Sequence, residues 1–82
     1  MKIEIISAGW CHYCNKAKEL MDSYGLEYIV IDIDNAKERL KSINRKSIPQ
    51  IIIDDVHVGG YSDLVNKLPT LMAMTKDGEF NG

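Results

Sequence analysis

Ile3-Glu4-Ile5-Ile6-Ser7-Ala8-Gly9-Trp10-Cys11-His12-Tyr13-Cys14 joins a β-branched run to the start of a helical pattern through a short break. Ile3, Ile5 and Ile6 read as a first strand, and Ser7-Ala8-Gly9 ends it. From Cys11 the period changes. Cys14, Ala17, Leu20, Met21 and Tyr24 fall on one helical face, with Asn15, Lys16, Lys18 and Asp22 elsewhere. Gly25 suits the residue just past the helix end, because it takes positive φ without a Cβ penalty. Tyr28-Ile29-Val30-Ile31 follows as a second strand. It is apolar on both faces, which predicts a central, fully covered strand. Strand, helix and strand in this length form a βαβ unit with parallel strands and a right-handed crossover.

Outward from that unit the pattern continues to the C-terminus. Asn35 and Glu38 have capping-box spacing, and Ala36, Leu40 and Ile43 mark a short second helix. Its other face carries Lys37, Glu38, Arg39 and Lys41, and Asn44 is its expected stop. Ile48 precedes Pro49 and is therefore pushed towards extended backbone. Gln50-Ile51-Ile52-Ile53 reads as a third strand, Asp54-Asp55 as a tight turn and Val56-His57-Val58 as the returning strand of a hairpin. Gly59-Gly60 ends it. Ser62 or Asp63 can cap a last helix carrying Leu64, Val65 and Leu68, which Pro69 ends or kinks. Thr70 to Met74 adds at most one helical turn, with Met72 and Met74 as packing residues, and Lys76 to Gly82 is expected to fray. The predicted order is β-α-β-α-β-β-α, a parallel pair followed by an antiparallel hairpin.

Size and composition narrow the function classes. With 82 residues the chain reads as a single domain over 1–82, with about 70–82 as a C-terminal extension. Apolar content of 45% and charged content of 27% are those of a globular protein. A net charge of −2 gives no general attraction to nucleic acid. No apolar run approaches a membrane span of about 20 residues. Met1-Lys2-Ile3-Glu4 lacks a signal-peptide pattern, so the expected compartment is the cytoplasm. Paired cysteines there are more often catalytic or metal-binding than structural.

Cys11 and Cys14 are the only cysteines, separated by two residues at a predicted strand-to-helix junction. Only a thiolate attacks a disulfide, and a free thiol titrates near ~8.5. At a helix N-terminus, unpaired N–H groups and the helix dipole favour negative charge on Cys11. Cys14, one turn on, can donate a weak S–H bond to it, and a protonated His12 would act in the same direction. Cys11, at the tip, is expected to attack a substrate disulfide. Cys14, deeper, is expected to resolve the mixed disulfide, leaving a Cys11–Cys14 disulfide. A zinc site needs about four ligands. Only His12 and His57 could add to the pair, and they are far apart in the chain, so no metal is expected. His57 itself reads as a surface residue of an edge strand.

Three segments then match one family in order and spacing. Cys11-His12-Tyr13-Cys14, Ser47-Ile48-Pro49-Gln50-Ile51 and Gly59-Gly60-Tyr61-Ser62-Asp63-Leu64 resemble those of a dithiol glutaredoxin of the thioredoxin superfamily. The resemblance extends from Lys2 to about Leu68. It implies an α/β, thioredoxin-like fold: a four-stranded mixed sheet with helices on both faces. It implies a glutathione-dependent thiol–disulfide oxidoreductase acting on protein disulfides and glutathione mixed disulfides. Glutathione would be a co-substrate, with no tightly bound cofactor, and the protein a monomer that binds neither nucleic acid nor membrane.

By the same resemblance Cys11 is the nucleophile, Cys14 the resolving cysteine, and Tyr13 a glutathione contact beside the active sulfur. Ile48, before a proline that is cis in this superfamily, offers backbone bonds to the cysteinyl part of glutathione. Ser62 and Asp63 would hold its γ-glutamyl end. Arg45 matches a basic position near the glycine carboxylate. These assignments have physical sense: Arg45 and a helix N-terminus at Ser62 suit carboxylates, Asp63 suits an ammonium, and free backbone beside Pro49 can pair with an extended tripeptide. Plainer roles stay open: Arg45 as a solvated charge, Ser62 and Asp63 as helix caps, Tyr13 as packing.

The chain also departs from the family pattern. His12 stands where many members have proline, which is similar to more oxidising members of the superfamily. Ala8 stands where many carry lysine. Trp10 before the first cysteine resembles thioredoxin, and reads either as a core edge or as a docking surface. Two alternatives accompany the resemblance: a thioredoxin-like electron donor to ribonucleotide reductase, recycled by a thioredoxin-type reductase, and a [2Fe–2S] cluster carrier.

Overall fold

The computed structural model describes residues 1–43 and 47–81, with side chains described through Met72. Its elements are β1 (Ile3–Ser7), α1 (His12–Ser23), β2 (Ile29–Asp32), a 3-10 turn (Ile33–Asn35), α2 (Lys37–Ser42), β3 (Gln50–Ile53), β4 (Val56–Gly59) and α3 (Tyr61–Asn81). The order matches the predicted β-α-β-α-β-β-α. The sheet runs β2-β1-β3-β4. β1 and β2 are parallel, and the other neighbours are antiparallel.

β1 is buried along its whole length, and its alternation feeds two cores. Ile3 and Ile5 pack with Ile51 and Ile53 beneath α1 and α3, through Ala17, Met21, Leu64 and Leu68. Ile6 and Ile52 face the opposite side, beneath Ala36 and Leu40 at α2. Helices thus cover both faces. Among the described residues no helix is long and apolar enough to cross a membrane.

Several local readings hold and others change. Gly25 has φ +70°. Its N–H donates to the Asp22 carbonyl and that of Leu26 to the Met21 carbonyl, the paired bonds that close a helix through a left-handed residue. Asp54 and Asp55 have φ of +50° and +66°, the backbone of a two-residue hairpin turn. β2 is not the central strand expected of it. It has β1 as its one neighbour, and Ile29 and Val30 are half exposed. The β3–β4 hairpin adds to the far side of β1, so β1 and β3 are the central strands and β2 and β4 the edges. Asn35 does not cap α2. Asp32 instead accepts the Asp34 N–H at 2.9 Å and starts the preceding 3-10 turn. The helix α3 continues through Pro69 to Asn81, so Pro69 does not end it. Asn44, Arg45 and Lys46 lie outside the described residues.

Arg39, expected on a solvated face, instead reaches a buried acid on β1. Its Nη1 and Nη2 donate to the two carboxylate oxygens of Glu4 at 2.8 and 3.1 Å. These bonds hold the Glu4 carboxyl below its ordinary range against the opposing effect of burial, helped by the charges of Arg39 and Lys2. The Glu4 side chain is 8% exposed and that of Arg39 is 38%, so the cost of losing Arg39 falls mainly on the stranded carboxylate. We expect Arg39→Met to cost about 2 kcal/mol at neutral pH, below the range for fully buried pairs. Because the folded carboxyl titrates below its unfolded value of about 4.3, the pair stabilises fully above that value and is lost as pH falls through the folded one. Denaturant midpoints of wild type and Arg39→Met should therefore converge in acid; a constant gap from pH 7 to pH 3 would contradict this account.

Candidate active site

β1 delivers the chain to the site, and the first turn of α1 builds it. Ala8 is buried against both cysteines, and the Cys11 N–H donates to its carbonyl at 3.1 Å. Cys11 is the residue that caps α1, with extended backbone at φ −85° and ψ 111°. Its sulfur accepts the Cys14 N–H at 3.2 Å, the place a serine or aspartate oxygen fills at other helix starts. Cys11 Sγ therefore sits among the unpaired amides where negative charge is favoured. Cys11 and Cys14 are joined as a disulfide, their Cα atoms 5.2 Å apart.

Cys14 is 0% exposed and Cys11 6%. Their order of depth is as expected, but Cys11 is recessed rather than standing at a tip. Its sulfur is reached through a hollow walled by Trp10, His12, Tyr13, Ile33, Ser47 and Ile48. Trp10 is 79% exposed beside it, which settles the choice left open for this residue: it is a projecting side chain, not a core edge. Ala8, where many of the family carry lysine, is buried here.

The loop before β3 forms the facing wall. The Ile48–Pro49 peptide bond is cis, and the Ile48 carbonyl oxygen lies 3.8 Å from Cys11 Sγ. From this point a groove of about 350 Å³ runs along Pro49 to the start of α3. Tyr13, Ile48, Pro49, Ser62 and Asp63 all line it. It is within the size of small-molecule clefts. The structure thus brings together every predicted contact except Arg45, which lies outside the described residues.

The α3 end of the groove is set by Asp63. Its Oδ2 accepts the Gly60 N–H at 3.0 Å, while the Gly60 carbonyl accepts the Leu64 N–H. Asp63 is therefore the acidic third residue of α3, its carboxylate reaching back to the Gly60 N–H as one half of a capping box, while Gly60 has no side chain to supply the other half. The space it occupies exists because residue 59 is glycine: a Cβ there would overlap the Asp63 carboxyl group.

Four lining or supporting residues have no site role in the reading of the sequence. Tyr61 pairs with Tyr13 across the groove, ring centroids 5.8 Å apart; it lies inside a motif segment that could have drawn attention to it. Ser47 borders both the hollow and the groove. Gln50 is a buried polar residue whose Nε2 donates to the Ser47 carbonyl at 2.9 Å. His57, expected at the surface, is half-buried, with its Nε2 2.7 Å from Gln50 Oε1. No periodicity signals this last contact, since it crosses the hairpin diagonally at a bulge.

A family model described as Glutaredoxin matches residues 3–58. Glutaredoxin 3 of Escherichia coli (strain K12) is 41% identical over 66 residues, covering 76% of this chain and 80% of that protein. The solution structure of glutaredoxin from Brucella melitensis is similar with a TM-score of 0.70 at 34% identity, covering 87% of this chain and 87% of the other. A buckwheat glutaredoxin–glutathione complex shares the fold, with a TM-score of 0.74 at 24% identity, covering 83% of this chain and 68% of that one.

Proposed function

Because the chain belongs to the glutaredoxin family, we propose that it is a glutathione-dependent thiol–disulfide oxidoreductase. The observation that carries the reading is the groove that opens beside Cys11 and ends at Asp63. A glutathionyl chain laid along it would present its sulfur to Cys11, its backbone to Ile48 and its ammonium to Asp63. The printed description of the buckwheat relative, a complex with glutathione, is in keeping with this.

In the proposed reaction the Cys11 thiolate attacks the glutathionyl sulfur of a mixed disulfide. The S–S bond breaks, and the substrate thiolate leaves and takes up a proton. A second glutathione thiolate can then attack the Cys11-bound glutathione, giving glutathione disulfide and reduced enzyme. Protein disulfides follow the other branch: Cys14 attacks the mixed disulfide at Cys11, releases the substrate thiol and closes the Cys11–Cys14 bond. Two glutathione molecules, attacking in turn, return that bond to two thiols and leave as one glutathione disulfide. We place this cycle in a reducing cytoplasm and assign it to the monomer.

A disulfide reductase assay coupled to glutathione tests the reading on purified protein. The expected result is turnover of a glutathionylated peptide with glutathione as reductant. Exposed Trp10, with alanine instead of lysine at position 8, favours one competitor, a thioredoxin-like carrier. Reduction of the pair by a thioredoxin-type reductase, with none by glutathione, would replace our reading with that one.

A further inference from the structure

His57 lies opposite Ile52 across the β3–β4 ladder, one residue from an irregularity in its register. Its side chain is diagonal to Gln50, within the reach of cross-strand neighbours. Gln50 is 2% exposed, so each polar atom of its amide requires a partner. Nε2 donates to the Ser47 carbonyl at 2.9 Å and lies 3.3 Å from the Ser47 hydroxyl. A carbonyl only accepts, so the atom facing it must be the amide nitrogen. That orientation leaves Oε1 towards His57 Nε2, at 2.7 Å. Two acceptors cannot share such a bond, so His57 carries its proton on Nε2 and donates.

The chain of bonds ends where the groove needs a defined shape. Ser47 borders both the sulfur hollow and the groove, and the next carbonyl, that of Ile48, faces Cys11 Sγ. We propose that His57 is a positioning residue: it orients the Gln50 amide, which pins Ser47 and with it the Ile48 backbone against which a glutathionyl group is laid. The proposal rests on the glutathione reading above. It gives a role in substrate binding to a residue outside the two cysteines and the groove lining. The chain of bonds ends at the Ile48 backbone, whereas the helix-starting bond to the Cys11 sulfur comes from the Cys14 N–H.

The test compares two mixed disulfides of one peptide, with glutathione and with cysteamine, on the full chain. Wild type should show a lower KM for the glutathionyl form. His57→Leu removes the donor and keeps an apolar body. It should raise that KM about threefold to tenfold, the span of one neutral hydrogen bond, with a smaller change in kcat and an unchanged rate of Cys11 alkylation. His57→Gln, whose amide nitrogen can take the place of Nε2, should restore the KM; His57→Asn, one methylene shorter, should not. The two amide variants decide the matter even if His57→Leu does not fold. Wild-type discrimination retained in both His57→Leu and His57→Asn, or equal KM values for His57→Gln and His57→Asn, overturns the proposal. A wild-type protein that treats the two peptides alike overturns the glutathione reading and this proposal with it.

Discussion

Cys11→Ser is expected to abolish both protein-disulfide reduction and deglutathionylation, a loss on the order of a thousandfold or more, as when the nucleophile of a covalent mechanism is removed. The fold should survive. Cys11 Sγ accepts one helix-starting N–H, and a serine hydroxyl is a better acceptor in that position. Cys14→Ser should behave differently. Cys14 is fully buried behind Cys11, so it cannot meet a protein substrate first. Its loss blocks closure of the intramolecular disulfide but leaves Cys11 to exchange with glutathione. The variant should keep deglutathionylation and lose most reduction of protein disulfides. Both activities measured on both variants, with circular dichroism to confirm folding, decide the point. Equal and complete loss of deglutathionylation in the two would contradict the division of labour.

Gly59→Ala is expected to be the most damaging substitution away from the sulfurs. Gly59 has φ +130°, a region closed to residues with a Cβ except at a cost of roughly 1–3 kcal/mol. The added methyl would also overlap the Asp63 carboxyl group. Asp63 would have to leave the Gly60 N–H, losing a helix cap of about 1 kcal/mol. The sum, about 2–4 kcal/mol, is a large part of the 5–15 kcal/mol that holds a domain together. For a chain of this size it should lower the melting temperature by on the order of 10 °C or more. The same displacement removes the acid at the α3 end of the groove, so KM for a glutathionylated peptide should rise as well. Asp63→Ala separates the two effects. It should raise KM with a smaller loss of stability. In the double variant Gly59→Ala costs less than it does alone, because the overlap has gone and only the backbone cost remains. A melting temperature for Gly59→Ala equal to that of wild type would refute the clash.

The residues that were read well share one property: their determinants are local. The change from a two-residue to a helical period at Cys11, the glycine after Tyr24 and the Asp54-Asp55 turn each act within a few positions. The reading of Cys11 as the helix-starting residue followed from the same locality, and with it the expectation of a sulfur bathed in free amides. Resemblance to a family singles out Tyr13, Ile48, Pro49, Ser62 and Asp63, and these residues line one groove. What was misread depends on partners far along the chain. Glu4 stands inside a β-branched run and Arg39 on the charged face of α2, and only the fold joins them across 35 positions. His57 looked solvated until a hairpin with an irregular register carried it to Gln50. β2 looked central because its residues are apolar on both faces, yet its place was decided by where the hairpin paired.

The sequence by itself determined the order of elements, the helix start at Cys11 and the pairing of thiols at that start, since these follow from steric, capping and periodic preferences of neighbouring residues. Only the tertiary structure decided how deep Cys11 lies, which strand is central, and how the loop at Ile48 and the start of α3 enclose a groove beside the sulfur. Those outcomes depend on register and packing between segments distant in the chain. The energies involved are shared among many partners, so no single stretch of residues encodes them.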